Sequence, residues 1–121
     1  MKSIMMAYVK NSAEALSFYQ KAFEANLVEN HMNQDGSCGW CELEIDGQFL
    51  VVSEHVDGEV AKGNQQMFIF DFGKDGESLV QRAYEVLKDG AKIICDLGEG
   101  RFSKFHFKLV DKFGIFWCIY V

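Results

Sequence analysis

SIMMAYV, residues 3–9, is a short apolar run ending at Lys10, which predicts a first strand. Over NSAEALSFYQKAFEA, residues 11–25, the period is that of a helix, with Ala15, Leu16, Tyr19 and Phe23 on one side. Asn11 stands three residues before Glu14, the form of a capping box, in which the Asn oxygen accepts a free N–H and the Glu reaches back. An extended segment follows near residues 27–32 and then a strand over 40–45, where Trp40, Glu42 and Glu44 alternate with Cys41, Leu43 and Ile45. Asp46-Gly47 between that run and QFLVVSE reads as a tight hairpin turn.

The loop HVDGEVAKGN precedes a second passage through the same order. QQMFIFDF predicts a strand, and ESLVQRAYEVLK a helix with Leu79, Ala83, Val86 and Leu87 on one side, capped by Asp75 and stopped by Gly90. AKIICD, KFHFKLVD, a Lys112-Phe113-Gly114 turn and IFWCIYV complete it. Both halves read strand, helix, strand, strand, strand. An internal duplication of a βαβββ unit, with modules near 1–56 and 65–121 in one 121-residue domain, accounts for this order. The fold class is α+β.

Composition narrows the functions. At 121 residues and 49% hydrophobic, the chain is long enough to bury a core. No apolar run approaches the ~20 residues that span a bilayer, and the N-terminus lacks a signal-peptide cleavage pattern, so the expected location is the cytoplasm. The net charge of −6 argues against nucleic acid or an anionic membrane as partner, since both require clustered Lys and Arg.

SCGWCELEID holds a Cys-x-x-Cys, Cys38 and Cys41, with three readings: a redox couple, half of a zinc site, or two buried thiols. A thioredoxin-like couple sits at a helix N-terminus, whereas this pair runs into an alternating strand. Residues three apart on a strand point to opposite faces, so the two sulfurs are not expected to meet if the strand includes Cys38. A zinc site needs further ligands, and Cys95 and Cys118 stand isolated. The simplest reading is four reduced, buried cysteines. A Glu54/His55 acid–base pair at a cavity mouth requires a bend, because neighbouring strand residues diverge.

The duplicated order resembles the vicinal oxygen chelate superfamily of glyoxalase I, bleomycin-resistance proteins and extradiol dioxygenases. AEALSFYQKAFEA and DKFGIFWCI, near opposite ends of the chain, are similar to the helix and terminal Asp-Pro-Phe-Gly-x-x-Trp motifs of its PhnB-like branch, labelled after 3-demethylubiquinone methyltransferase. Lys112 replaces the proline. The resemblance implies two βαβββ modules forming a glyoxalase-like curved mixed sheet around a ligand, and a homodimer.

It also implies a divalent metal held by His or Gln and Glu at four places. By spacing these fall at Ile4, near Val52 with Ser53 and Glu54 just beyond, at Gln65 or Gln66, and at Cys118. Ile4 and Val52 offer no donor, and a thiolate beside hard oxygens is not the usual set. The expectation is therefore a binding protein for a small organic molecule, without the metal centre or another cofactor. Its cavity candidates are Ile4, Met6, Tyr8, Glu54, Gln66 and Cys118, with Trp117 packed beneath the helix. Two alternatives stand beside it. One is a metal-dependent lyase, isomerase or dioxygenase using Gln65 or Gln66, Glu54 and Cys118; the other is a thiol enzyme using Cys38 and Cys41.

Overall fold

A computed structural model describes residues 1–61, 63 and 65–121. The chain forms two compact units, Met1–Ala61 and Lys62–Val121. The first contains β1 (Met5–Val9), α1 (Ser12–Phe23), β2 (Asn26–Met32), β3 (Cys38–Ile45) and β4 (Gln48–Glu54). The second contains β5 (Phe68–Asp71), α2 (Glu77–Leu87), β6 (Lys92–Gly98), β7 (His106–Val110) and β8 (Phe116–Tyr120). Each unit holds one four-stranded mixed sheet, ordered β1-β4-β3-β2 and β5-β8-β7-β6. In each, the first strand pairs in parallel with the last and the remaining pairs are antiparallel. The architecture is α+β and duplicated, as the repeated sequence order predicts. No helix of the structure is long and apolar enough to cross a membrane.

Register divides each sheet into a helix-side face and an opposite face. In the first unit Ala7 pairs with Val52 and Val52 with Cys41, while Leu43 pairs with Leu50. These residues are fully buried, as are Ala15 and Tyr19 on α1. Met6 pairs with Val51, Tyr8 with Ser53, and Glu44 with Phe49, so these side chains occupy the opposite face. In the second unit Phe107, Leu109, Trp117 and Ile119 are buried with Val80, Ala83 and Leu87 of α2. The apolar stripe of α2 is thus centred on Val80, while Leu79 and Val86 are only half-buried.

The Asp46-Gly47 hairpin forms as expected. Both residues have positive φ, 48° and 80°, which a type I′ turn demands and which Gly tolerates at no steric cost.

Three local expectations are corrected. Asn11 does not cap α1: its backbone is left-handed, with φ 58°, and its side chain makes no cap bond. The residue preceding α2 is Gly76, not Asp75, again without a side-chain cap.

The third correction concerns the cysteines. β3 does begin at Cys38, yet Cys38 and Cys41 are both fully buried. His31 pairs with Trp40 and the next residue, Met32, pairs with Cys38, which leaves Gly39 as an extra residue on β3. This β-bulge reverses the alternation and returns Cys38 to the helix-side face. A Cβ at Gly39 would lie 2.9 Å from the His31 carbonyl oxygen and 2.9 Å from Asn33 Oδ1, so only glycine fits.

Candidate functional site

The face of the first sheet opposite α1 carries three of the six expected cavity residues, Ile4, Met6 and Tyr8. At one end Ile4, just outside β1 and 44% exposed, borders a groove of about 340 Å³ with Phe49, Glu42 and Gln48. Met6 is half-buried beside Val51. At the other end Tyr8 pairs with Ser53, and His55 follows directly after the end of β4, its N–H donating to the Val9 carbonyl at 2.9 Å. That position lays the His55 ring against Tyr8, with centroids 4.6 Å apart.

The Tyr8 hydroxyl is held from two sides. It donates to Asp57 Oδ2 at 2.7 Å and accepts from the Val56 N–H at 3.1 Å. The Val56 N–H favours the phenolate, but the Asp57 carboxylate, burial and charge outweigh it and hold the Tyr8 pKa above its ordinary value. Tyr8 therefore stays a neutral hydrogen-bonding group near neutral pH. The His55 Nδ1 atom is buried and has no hydrogen-bond partner among the described residues. An orphaned buried ring nitrogen costs on the order of 1–3 kcal/mol, and a bound polar group would recover it. His55 therefore belongs with the cavity candidates. Alternation alone puts His55 on the face of Ser53; that Ser53 stands beside Tyr8 is a matter of register between strands.

Glu54 turns the other way. Its Oε1 accepts from the Ser12 N–H at 3.0 Å and the Ser12 hydroxyl at 2.8 Å, and the Asn11 N–H contributes as well. Glu54 thus supplies the cap that Asn11 does not, placing a negative charge at the positive end of α1. Burial pushes its pKa up, but the Ser12 and Asn11 donors, with Lys10, prevail and hold it below the usual glutamate value. Glu54 and His55 diverge to opposite faces and do not form an acid–base pair.

In the second unit Trp117 packs on the helix side, edge-on to Phe68 and Phe70 at centroid distances of 5.3 and 5.4 Å. Cys118 lies on the opposite face, paired with Ile69 and Lys108. Burial pushes the Cys118 thiol above its ordinary pKa; Lys108 acts against that shift and Cys95 with it. Gln65 and Gln66 lie before β5 and are exposed, so the expected fifth-strand position is not on a strand.

The residues at the metal-binding places do not fit a hard divalent ion. Ile4 is apolar, Val52 is fully buried on the helix side, and Cys118 offers a soft thiol rather than a hard oxygen. Glu54 is engaged at the α1 terminus. Among the described residues no group of three or more His, Cys, Asp and Glu is arranged to hold a metal.

No family model matches the chain, and no curated protein sequence matches it. Solved structures do. The chain is similar to the PhnB protein from Bacillus cereus, at 19% identity over 99% of this chain and 98% of that one, with a TM-score of 0.80. It is similar to the fosfomycin resistance protein FosX from Listeria monocytogenes, solved with Mn(II) and dihydroxypropylphosphonic acid, at 15% identity, 99% and 90% coverage and a TM-score of 0.71. A gene product from Arabidopsis thaliana matches at 24% identity, 100% and 98% coverage and a TM-score of 0.69. Identities of this size speak to fold and leave the chemistry to each chain's own side chains. With its two βαβββ units, their matching strand orders and these superpositions, the chain has the vicinal-oxygen-chelate, glyoxalase-like fold shared by PhnB-like and FosX proteins.

Proposed function

We propose that this protein binds a small organic molecule without a hard divalent metal, on the sheet face that carries Met6, Tyr8 and His55. The observation that supports it best is the buried, unpartnered Nδ1 of His55 against the Tyr8 ring. A planar ligand with one polar group would stack on these rings and satisfy that nitrogen. Ile4, Phe49 and Trp40, all at least one-third exposed, extend the apolar surface. Glu42 and Glu44 share the face and favour a cationic ligand over an anionic one.

The proposed setting is a homodimer in the cytoplasm, where four free thiols would stay reduced. The test is a thermal-shift screen of planar aromatic cations and their neutral analogues, repeated on His55→Ala and Tyr8→Phe. A ligand at about 100 times its Kd adds about 2.7 kcal/mol, which moves the midpoint by several degrees. The shift is expected to vanish in His55→Ala. A screen in which every hit persists in His55→Ala would overturn this reading. Light scattering of the same preparation reports the dimer.

A further inference from the structure

The bulge at Gly39 does more than bury two thiols. It brings three sulfur atoms together beside the exposed edge strand β2. Cys41 Sγ lies 3.3 Å from Met32 Sδ and 3.5 Å from Asn30 Oδ1, and Cys38 is a further hydrogen-bond partner of the same thiol. Cys38 is anchored in turn, its N–H donating to Ser12 Oγ at 2.8 Å. Met32 pairs with Cys38 across the strands and is 43% exposed, so one donor of the cluster faces solvent.

We propose that Met32, Cys38 and Cys41 form a binding site for one soft monovalent cation of the copper(I) or silver(I) class. This site is independent of the ligand-binding face, which lies on the other side of the sheet.

Donor chemistry selects the ion. Two thiols and a thioether are soft ligands in a number that suits monovalent copper, whereas structural zinc closes a tetrahedron with four donors. Among the described residues no third His, Cys, Asp or Glu completes such a set. Two sulfurs on one metal, at bond lengths of about 2.3 Å and trigonal angles, are about 4 Å apart, so the Cys41 and Met32 sulfurs, 3.3 Å apart, would separate by less than about 1 Å to admit an ion.

A thiol gives up its proton to a soft metal ion as it binds. Binding one cation to both thiols releases two protons to solvent; no electron moves, and the thioether binds without exchange.

The experiment uses the reduced full-length protein, titrated with silver(I) nitrate in chloride-free solution and with copper(I) held by a competing chelator. Native mass spectrometry is expected to show one ion per chain, with two protons released in weakly buffered solution. Cys41→Ser is expected to lose the complex, and Cys118→Ser and Cys95→Ser to retain it. Because replacing a buried thiol can unfold the chain, Met32→Leu on the exposed strand supplies a second criterion. It is expected to weaken binding roughly tenfold, equivalent to about 1.4 kcal/mol. Absence of a one-to-one complex, its persistence in Cys41→Ser, or an unchanged affinity in Met32→Leu would each overturn the proposal.

Discussion

Asp111 shows how one carboxylate can hold a motif together. It is 4% exposed, and its Oδ1 accepts from the Phe113 and Ile115 N–H groups at 2.9 and 3.0 Å. Its Oδ2 accepts from the indole N–H of the fully buried Trp117 at 2.8 Å. The Asp, Gly and Trp of DKFGIFW thus form one structural unit: the carboxylate organises the turn, Gly114 takes φ 89°, and the indole closes the core. Asp111→Ala leaves Trp117 Nε1 buried without this acceptor, a cost of about 1–3 kcal/mol. Urea unfolding is expected to show a loss of this size, with Asp111→Asn intermediate because its single oxygen still serves the turn. No loss in Asp111→Ala would mean that the motif is not structural. At this scale the sequence identified the motif, but not that its Asp serves the indole six residues away.

Among the elements, α1 and β3 each depend on a residue that a linear pattern does not reveal. Capping of α1 comes from Glu54, 42 residues away, because β4 lies parallel to β1 and ends beside the helix N-terminus. Glu54→Ala is expected to cost about 1 kcal/mol, as loss of a helix cap does. The folded-state pKa of Glu54 lies below the ordinary value of 4.5, so its stabilisation is complete above pH 4.5 and disappears as pH falls through the lowered value. The gap in melting temperature between wild type and Glu54→Ala should therefore be constant near neutrality and close below that point. A gap that widens on acidification would contradict the assignment.

β3 depends on Gly39. Gly39→Ala drives a Cβ into the His31 carbonyl, an overpacking cost of about 1–3 kcal/mol. If the strand escapes by losing the bulge, Cys38 moves to the face opposite α1. Faster alkylation of Cys38 in Gly39→Ala, with Cys41 unchanged, would report that flip. Equal protection of both cysteines in a stable Gly39→Ala would show that the bulge does not set the alternation.

For the molecule as a whole, fold and chemistry are separate matters. The chain has the fold of proteins that include a manganese-bound FosX, yet at the places that its own sequence spacing assigns to metal ligands Ile4 is apolar, Val52 is buried and Glu54 is engaged at the α1 terminus. Manganese, nickel and cobalt are therefore expected to leave the melting midpoint unchanged at concentrations that would saturate a specific site. A saturable rise of several degrees, lost in Cys118→Ser or Glu54→Gln, would establish the metal-dependent alternative.

The sequence by itself determined the elements, their order and their duplication, because strand and helix periods and an Asp-Gly turn are local properties of backbone and side-chain geometry. It also placed Met6 and Tyr8 together, and Trp117 opposite Cys118, because alternation within an uninterrupted strand holds without knowledge of the partner strand. Only the tertiary structure decided the rest. The partner of the α1 terminus, the extra residue at Gly39 that reunites Cys38 with Cys41, and the seating of His55 on Tyr8 all depend on which residue of one strand faces which of another. That pairing is set by register and packing between segments distant in the chain, and a local pattern carries no information about it.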